Sequence, residues 1–318
     1  MSKSTLKYIL KRIGYALLTI LVLVIITFIM MHIAPGNPFS TGKAISDEAM
    51  AALEAQYGLD KPMIIQILIY IKNAFMGNFG ESIKYGREVS AIIADSFPFS
   101  FELGMRSLII AVFGGIGIGS LAAVRRGKAS DTIAMGVAVF GVSVPSFIVA
   151  ALLQYFLSLK LGQALGTQLF PITGWTTEAS KILPAIALAL GPLAQISRLM
   201  RTSMLDVLNS DYIKTAKAKG LSQGMIIWRH ALRNACMPVL TVLGPIAASI
   251  LTGGFVVEQV FSIPGMGRYF VNSIKDMDYY MISGTTIFYG AFLILAVLIV
   301  DVLYGVVDPR VNLAGSKE

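Results

Sequence analysis

Residues 13–33 read "IGYALLTILVLVIITFIMMHI", twenty-one positions without an Asp, Glu, Lys or Arg. At 1.5 Å rise per residue such a helix is about 31 Å long, which matches the roughly 30 Å hydrocarbon core of a bilayer. A helix is also what lipid demands, because it pairs every backbone N–H and C=O within the segment. The run is too long for the apolar region of a signal peptide. Pro35 directly follows the only small-residue cleavage position, Ala34, so the stretch is expected to stay as a span.

Similar stretches recur at about 103–124, 132–159, 182–200, 237–260 and 282–307, giving six spans. Hydrophobic residues make up 55% of the chain and charged ones 14%, against about 25% charged in ordinary soluble domains. Mean hydropathy is +0.72. These values predict an all-α membrane protein. Its parts are an N-terminal span (1–33), a long extracytoplasmic segment (34–100) and a transmembrane core (101–318) with a cytoplasmic loop at 199–234.

Six spans place one set of basic residues on one side of the membrane: Lys3, Lys7, Lys11, Arg12, Arg125, Arg126, Lys128, Arg198, Arg201, Lys214, Lys217, Lys219, Arg229, Arg233, Arg310 and Lys317. Their acidic companions are Asp131, Asp206, Asp211, Asp308 and Glu318, so the remainder of the chain is net negative. The positive-inside rule makes that side, and both termini, cytoplasmic. The net charge of +8 is therefore topological and does not argue for nucleic acid. One cysteine, Cys236, and two histidines leave little material for a disulfide or a metal site.

In the external segment, "SDEAMAALEAQYGLDKP" (46–62) opens with a Ser–Asp cap, and Met50, Leu53 and Tyr57 recur at helical spacing. "MIIQILIYIKNAF" (63–75) is apolar but too short to cross. Two short helices at the outer surface are expected, either as a packing cap over the bundle or as a dock for an external partner.

"DYIKTAKAKG" (211–220) interrupts the apolar pattern with three lysines. Ser210 or Asp211 suits a helix start and Gly220 a helix end. Ile213, Ala216 and Gly220 share one face, with Lys214 and Lys217 on another. The small-residue face suits close approach to a groove in another protein. The basic face suits an anionic lipid surface, at about 1 kcal/mol per lysine.

The longer stretch "YIKTAKAKGLSQGMIIWRHALRNACMPVLT" (212–241) resembles the EAA-type loop of ABC importer permeases, in the dipeptide/oligopeptide/nickel branch. Lys214, Thr215 and Ala216 stand where Glu-Ala-Ala stands in the general pattern, with Gly220 in register and Pro238 at the far end. Four further segments are similar to that branch in the same order: "YILKRIGYALLTILVLVIITFIMMHIAPGNP" (8–38), "YGLDKPMIIQILIYIKNAFMGNFGESI" (57–83), "FVVEQVFSIPGMGRYFVNSI" (255–274) and "DVLYGVVDPRVN" (301–312). The external segment after the first span resembles that of the B-type subunit.

The resemblance implies a type I permease fold in a bacterial inner or plasma membrane, forming half of a pathway for di- or oligopeptides. It implies a homologous second permease, an extracytoplasmic substrate-binding protein and two cytoplasmic ATPases, which hold ATP and Mg while this chain binds no cofactor. Asp211, Tyr212, Ile213, Lys214, Thr215, Ala216, Lys217, Ala218, Lys219, Gly220 and Leu221 would form the coupling helix seated on an ATPase. Ser262, Ile263, Pro264, Gly265, Met266, Gly267 and Arg268 would serve an outer gate or dock. The same permease pattern also serves nickel and other small solutes. A secondary transporter or channel independent of ATP would need ion-coupling groups deep in the spans, and these are scarce.

Several motifs are decoys. "GNPFSTGKA" (36–44) departs from a Walker loop in glycine spacing and in Ala44, and it lies in the external segment. "GIGSLA" (117–122) fits a dinucleotide pattern, yet it sits inside an apolar run, where its glycines suit close helix approach. "GVSVP" (141–145) places Ser143 with no histidine in reach, since His32 and His230 belong to other levels of the chain. Asp301 lies about two turns from the cytoplasmic end, which suits an ion pair or a solvated position better than a proton relay. Gln154, Gln195 and Thr252 either line a path or bond between helices. Prolines 145, 184, 192, 238 and 245 kink the third to fifth spans, shaping a cavity or simply packing.

Overall fold

The computed structural model describes residues 3–33, 60–252 and 254–307, with Glu48 and Ala55. The helix expected over 46–59, "GNPFSTGKA" and the tail with Asp308 and Arg310 lie outside the described residues, as do the side chains of His32 and Asp301. The described elements are helical: α1, Lys3–Ile33; α2, Met63–Phe75; α3, Val89–Val124; α4, Ala129–Ser143; α5, Ser146–Leu165; α6, Glu178–Leu208; α7, Asp211–Ala218; α8, 223–251; α9, Phe255–Val260; α10, Met266–Lys275; and α11, Tyr279–Val307.

Six stretches are long and apolar enough to cross a membrane, in α1, α3, α5, α6, the 223–260 run and α11. Leu17, Leu18, Val22 and Ile26 of α1 are exposed, as lipid-facing side chains should be. The shorter α2 is helical over the apolar stretch expected to be too short to cross; it buries Tyr70 and exposes Ile64, Leu68 and Phe75.

Three boundaries differ from the sequence reading. The helix α3 starts at Val89 and runs through Pro98, so residues 89–100, read as external loop, are its first three turns. A proline removes one helical hydrogen bond, and a helix of 36 residues tolerates that loss. The third span, read as one helix over 132–159 kinked at Pro145, is split into two. Val144 is extended (φ −97°, ψ 124°) before Pro145, which caps α5, as the clash of a proline ring with the preceding residue favours. The connection read as 199–234 shrinks to residues 209–222, because α6 runs on to Leu208 and α8 begins at Gln223.

The described residues up to Pro98 pack among themselves with 265–298, and so do the described residues of 99–264 with 299–307. In the first group Val24, Phe28, Tyr70 and Ile287 form a core joining α1, α2 and α11. Phe97 meets Phe288 and Phe292 edge-on, with ring centroids 4.8 and 5.0 Å apart.

In the second group α6 is central. Thr177 and Ser180 cap it reciprocally, and Ala189, Ile196, Met200 and Met204 are buried along it. The glycines of α3 let it lie close: a Cβ on Gly119 would stand 2.5 Å from the Ser197 carbonyl oxygen, and one on Gly115 2.7 Å from Ile196 Cβ. Within the dinucleotide-like "GIGSLA", Gly119 thus serves helix packing, whereas a Cβ on Gly117 would meet nothing within 4 Å.

Candidate coupling site

The site is built where α6 ends. Asn209 closes that helix and Ser210 turns extended (φ −70°, ψ 155°), donating its hydroxyl to the Val207 carbonyl at 2.6 Å. The helix α7 then starts at Asp211. Lys214 Nζ pairs with Asp211 Oδ1 at 2.8 Å, and the Thr215 hydroxyl donates to the Asp211 carbonyl at 3.0 Å. Gly220 ends the turn with φ +77°, a conformation that side-chain-bearing residues resist. Nothing lies within 4 Å of a Cβ built there, so backbone geometry, and not space, requires glycine. Ser222 caps α8, its hydroxyl oxygen accepting from the Met225 amide at 3.4 Å.

The face expected to enter a foreign groove is turned inward. Ile213 and Ala216 are buried, packed on Ile226, Val207 and Leu221 of the same chain. The reason is the hydrophobic effect acting locally: Ile213 is the largest apolar side chain on α7, and its nearest partners lie within fifteen residues of sequence. The outward face instead carries Asp211, Tyr212, Lys214, Thr215, Lys217, Ala218 and Lys219, with Gly220 also exposed and Leu221 half-buried. The Tyr212 hydroxyl accepts from Asn234 Nδ2 at 3.0 Å, so its ring is held in place.

Two exposed apolar groups beside this face escaped sequence reasoning. Met225 is 48% and Trp228 74% exposed, and Trp228 sits in a π turn, Ile226–Ala231, at the start of α8. The available signal was an aromatic residue in the short polar run "WRH". Arg229 and Arg233 are exposed there too, so the start of α8, like α7, exposes basic side chains together with large apolar or aromatic ones.

The remaining candidates are not gathered into one site. Gln154 Nε2 donates to the carbonyls of Ile172 (2.8 Å) and Val260 (3.0 Å), which makes it a tie between segments. Thr252 donates to Ala248 O at 2.8 Å at the end of α8, whereas Gln195 is exposed on α6. In 262–268 the side chains of Ile263 and Met266 are buried, as are Gly265 and Gly267, with Pro264 half-buried. Ser262 (φ 52°) and Arg268 are exposed, and the Arg268 guanidinium lies 4.6 Å from the Tyr269 ring centroid.

Two charged constellations in residues 99–264 were also missed. Glu102 accepts from Trp175 Nε1 at 2.9 Å and Lys181 Nζ at 3.0 Å, and it pairs with Arg106 at 2.7 Å. Asp131 receives Arg201 in bidentate fashion, Nε to Oδ1 at 2.6 Å and Nη2 to Oδ2 at 2.8 Å, with the Gly127 amide also donating to Oδ2 at 3.0 Å. The Arg201 hydrogen bonds, aided by that amide, hold the Asp131 carboxyl down at about 2. Among the described residues no three His, Cys, Asp or Glu side chains gather as a metal site would need.

Comparison with known proteins agrees with this architecture. Residues 115–313 match the family described as "Binding-protein-dependent transport system inner membrane component", and residues 5–104 match its N-terminal companion. The chain is similar to the dipeptide transport system permease protein DppB of Bacillus subtilis, 48% identical over 96% of this chain and 98% of the relative. It is also similar to the oligopeptide transport system permease protein OppB of Escherichia coli K12, 42% identical over 96% and 99%. Among solved structures, the inward-facing MetNI methionine ABC transporter shares the fold with a TM-score of 0.52 at 14% identity, covering 68% of this chain and 96% of that one. Matches along nearly the whole length, on a scaffold of six crossing helices, show that this multi-pass membrane chain belongs to the binding-protein-dependent ABC importer permeases, in their dipeptide/oligopeptide branch.

Proposed function

We propose that this chain forms half of the translocation pathway of an ATP-driven importer of di- and oligopeptides, and that α7 is where it receives mechanical work. The observation that carries the proposal is the build of α7. It is an eight-residue helix locked to its own chain by Ile213 and Ala216, yet it presents a basic outer face flanked by the exposed Trp228. A helix anchored on one side and open on the other transmits force; one held by neither side would not. The peptide cargo is supported by relatives that are named for dipeptide and oligopeptide transport.

On this reading a homologous second permease completes the pathway, and an extracytoplasmic binding protein delivers the peptide. Two cytoplasmic ATPases, holding ATP and Mg, dock on α7 and its counterpart. The end of the bundle bearing α7 faces the cytoplasm, in keeping with its lysines and arginines, and the membrane is the bacterial inner membrane.

The test is to place bulk on the outward face while sparing the buried one. Thr215→Arg and Ala218→Arg, in the complex reconstituted into liposomes, should abolish co-purification of the ATPase and ATP-dependent uptake of a labelled dipeptide. Insertion and thermal unfolding of the permease should stay unchanged. Full uptake with the ATPase still bound would show that α7 is only a helix on the membrane surface.

A further inference from the structure

The lower part of α6, which leads into α7, is gripped on two sides. On one side Gly119 of α3 lies against the Ser197 carbonyl, Met200 and the Arg201 amide. On the other, Arg201 reaches Asp131, the third residue of α4, and the pair is largely buried, with side chains 25% and 8% exposed. A planar guanidinium paired with a carboxylate in two parallel bonds fixes both distance and direction. It therefore resists the sliding that packed apolar side chains permit.

Beyond Leu208 there is little slack. Two residues, Asn209 and Ser210, lead to α7, and Val207 packs into the Ile213–Ala216–Ile226 cluster. From Lys128 to Ala218 in space, then, α4, the end of α6 and α7 are cross-braced at each step.

Higher up, the same two helices are weakened side by side. The helix α4 stops at Ser143, Val144 is extended, and α5 restarts after Pro145. On α6 the weak point is Gly191–Pro192, where the proline can return no hydrogen bond to the preceding turn. A Cβ on Gly191 would lie 3.5 Å from the Gly141 carbonyl oxygen, so the two weak points adjoin. Beside them is a cavity of about 170 Å³ lined by Val144, Ser146, Gly191, Pro192 and Ser249, among others. Interruptions of this kind are where long helices bend, and the cavity leaves room for side chains to move.

We propose that α4 and residues 193–208 of α6 swing as one lever, hinged at Val144–Pro145 and Gly191–Pro192, and that Asp131 and Arg201 are the positioning residues that transmit displacement of α7 to the interior of the membrane. This rests on α7 being the ATPase dock, and its role is separable from docking. Losing the dock removes the ATPase, whereas losing the clamp leaves the ATPase bound and hydrolysing ATP but disengaged from transport.

The experiment uses the assembled transporter in proteoliposomes, with Cys236→Ser and pairs of spin labels at exposed positions. Labels at Lys128 and Asn209 report within the lever, and labels at Asn209 and Thr176 report across the hinge. On trapping with ATP and vanadate, the 128–209 distance should hold while the 209–176 distance shifts. The double substitution Asp131→Asn with Arg201→Gln removes both charges without stranding either. It should broaden the 128–209 distances and cut uptake of labelled alanyl-alanine per ATP by about tenfold, within the range usual for coupling between sites, while the ATPase still co-purifies. The proposal is overturned if 128–209 shifts as much as 209–176, if 209–176 stays fixed, or if the double variant keeps its uptake per ATP. Failure of the docking reading would show elsewhere, in Thr215→Arg and Ala218→Arg variants that retain the ATPase and uptake.

Discussion

Two buried aspartates each tie a turn to a helix, and they are held by different kinds of partner. Asp278 is 1% exposed and, among the described residues, is held by neutral donors: the Ser82 hydroxyl at 2.5 Å and the Lys84 amide at 3.1 Å on Oδ2, and the Met281 amide at 3.1 Å on Oδ1. It caps α11 and pins the 78–88 loop in a single stroke. Asp131 is held by a cation seventy residues away in sequence, Arg201, with one amide besides. The first arrangement ties a distant loop to a helix start through uncharged donors and fixes a shape. The second bridges two helices, one that stops at Ser143 and one that carries Pro192 in its interior, so on the proposed lever it passes motion from one to the other.

The comparison is sharpest at Asp278. Asp278→Ala should strand a buried hydroxyl and two amides and remove a helix cap, a loss of about 3 kcal/mol in thermal unfolding. Because no cation is involved, added salt should leave that loss nearly unchanged. A strong salt dependence would mean that a cation also helps to hold Asp278, as one holds Asp131.

At Asp131 the distinguishing variable is pH. Its folded-state carboxyl titrates at about 2, below the usual carboxylate value of about 3.9. The ionised form is thus favoured in the folded protein, and its contribution is complete above about pH 4 and fades as pH falls towards 2. The unfolding temperature of Asp131→Asn should therefore lie below that of the parent chain at pH 6, and the gap should close as the medium is acidified. A gap constant down to pH 2 would show that Arg201 does not hold Asp131 as an anion.

Much of the fold was legible because lipid allows few solutions: six helices long and apolar enough to cross follow from length and apolarity, as does the shorter apolar helix α2. The helix break at Val144–Pro145 was seen only as a kink, since a proline marks a weak point without saying whether a helix bends or stops there. The Asp131–Arg201 pair could not be read at all. Nothing local to either residue announces a partner on another helix, and both had been assigned to membrane-surface charge. At α7 a short helix was legible, but the small-residue face is turned to its own chain. Small side chains suit close approach to any neighbour, and here the neighbours are Val207, Leu221 and Ile226 of the same chain.

A third carboxylate gives the lower limit of the comparison. Asp211 pairs with Lys214 at 2.8 Å, but their side chains are 95% and 68% exposed. Water screens such a pair, and ordering two mobile side chains offsets most of the attraction. Asp211→Asn should change the stability of the permease by about 0.3 kcal/mol, with 0.5 M salt erasing even that. Its effect should surface only where a partner covers α7. There the same charge is desolvated, so affinity for the ATPase should respond to Asp211→Asn more strongly than stability does. Equal, negligible effects on both would place Asp211 outside the contact and shift the dock towards Tyr212 and Trp228.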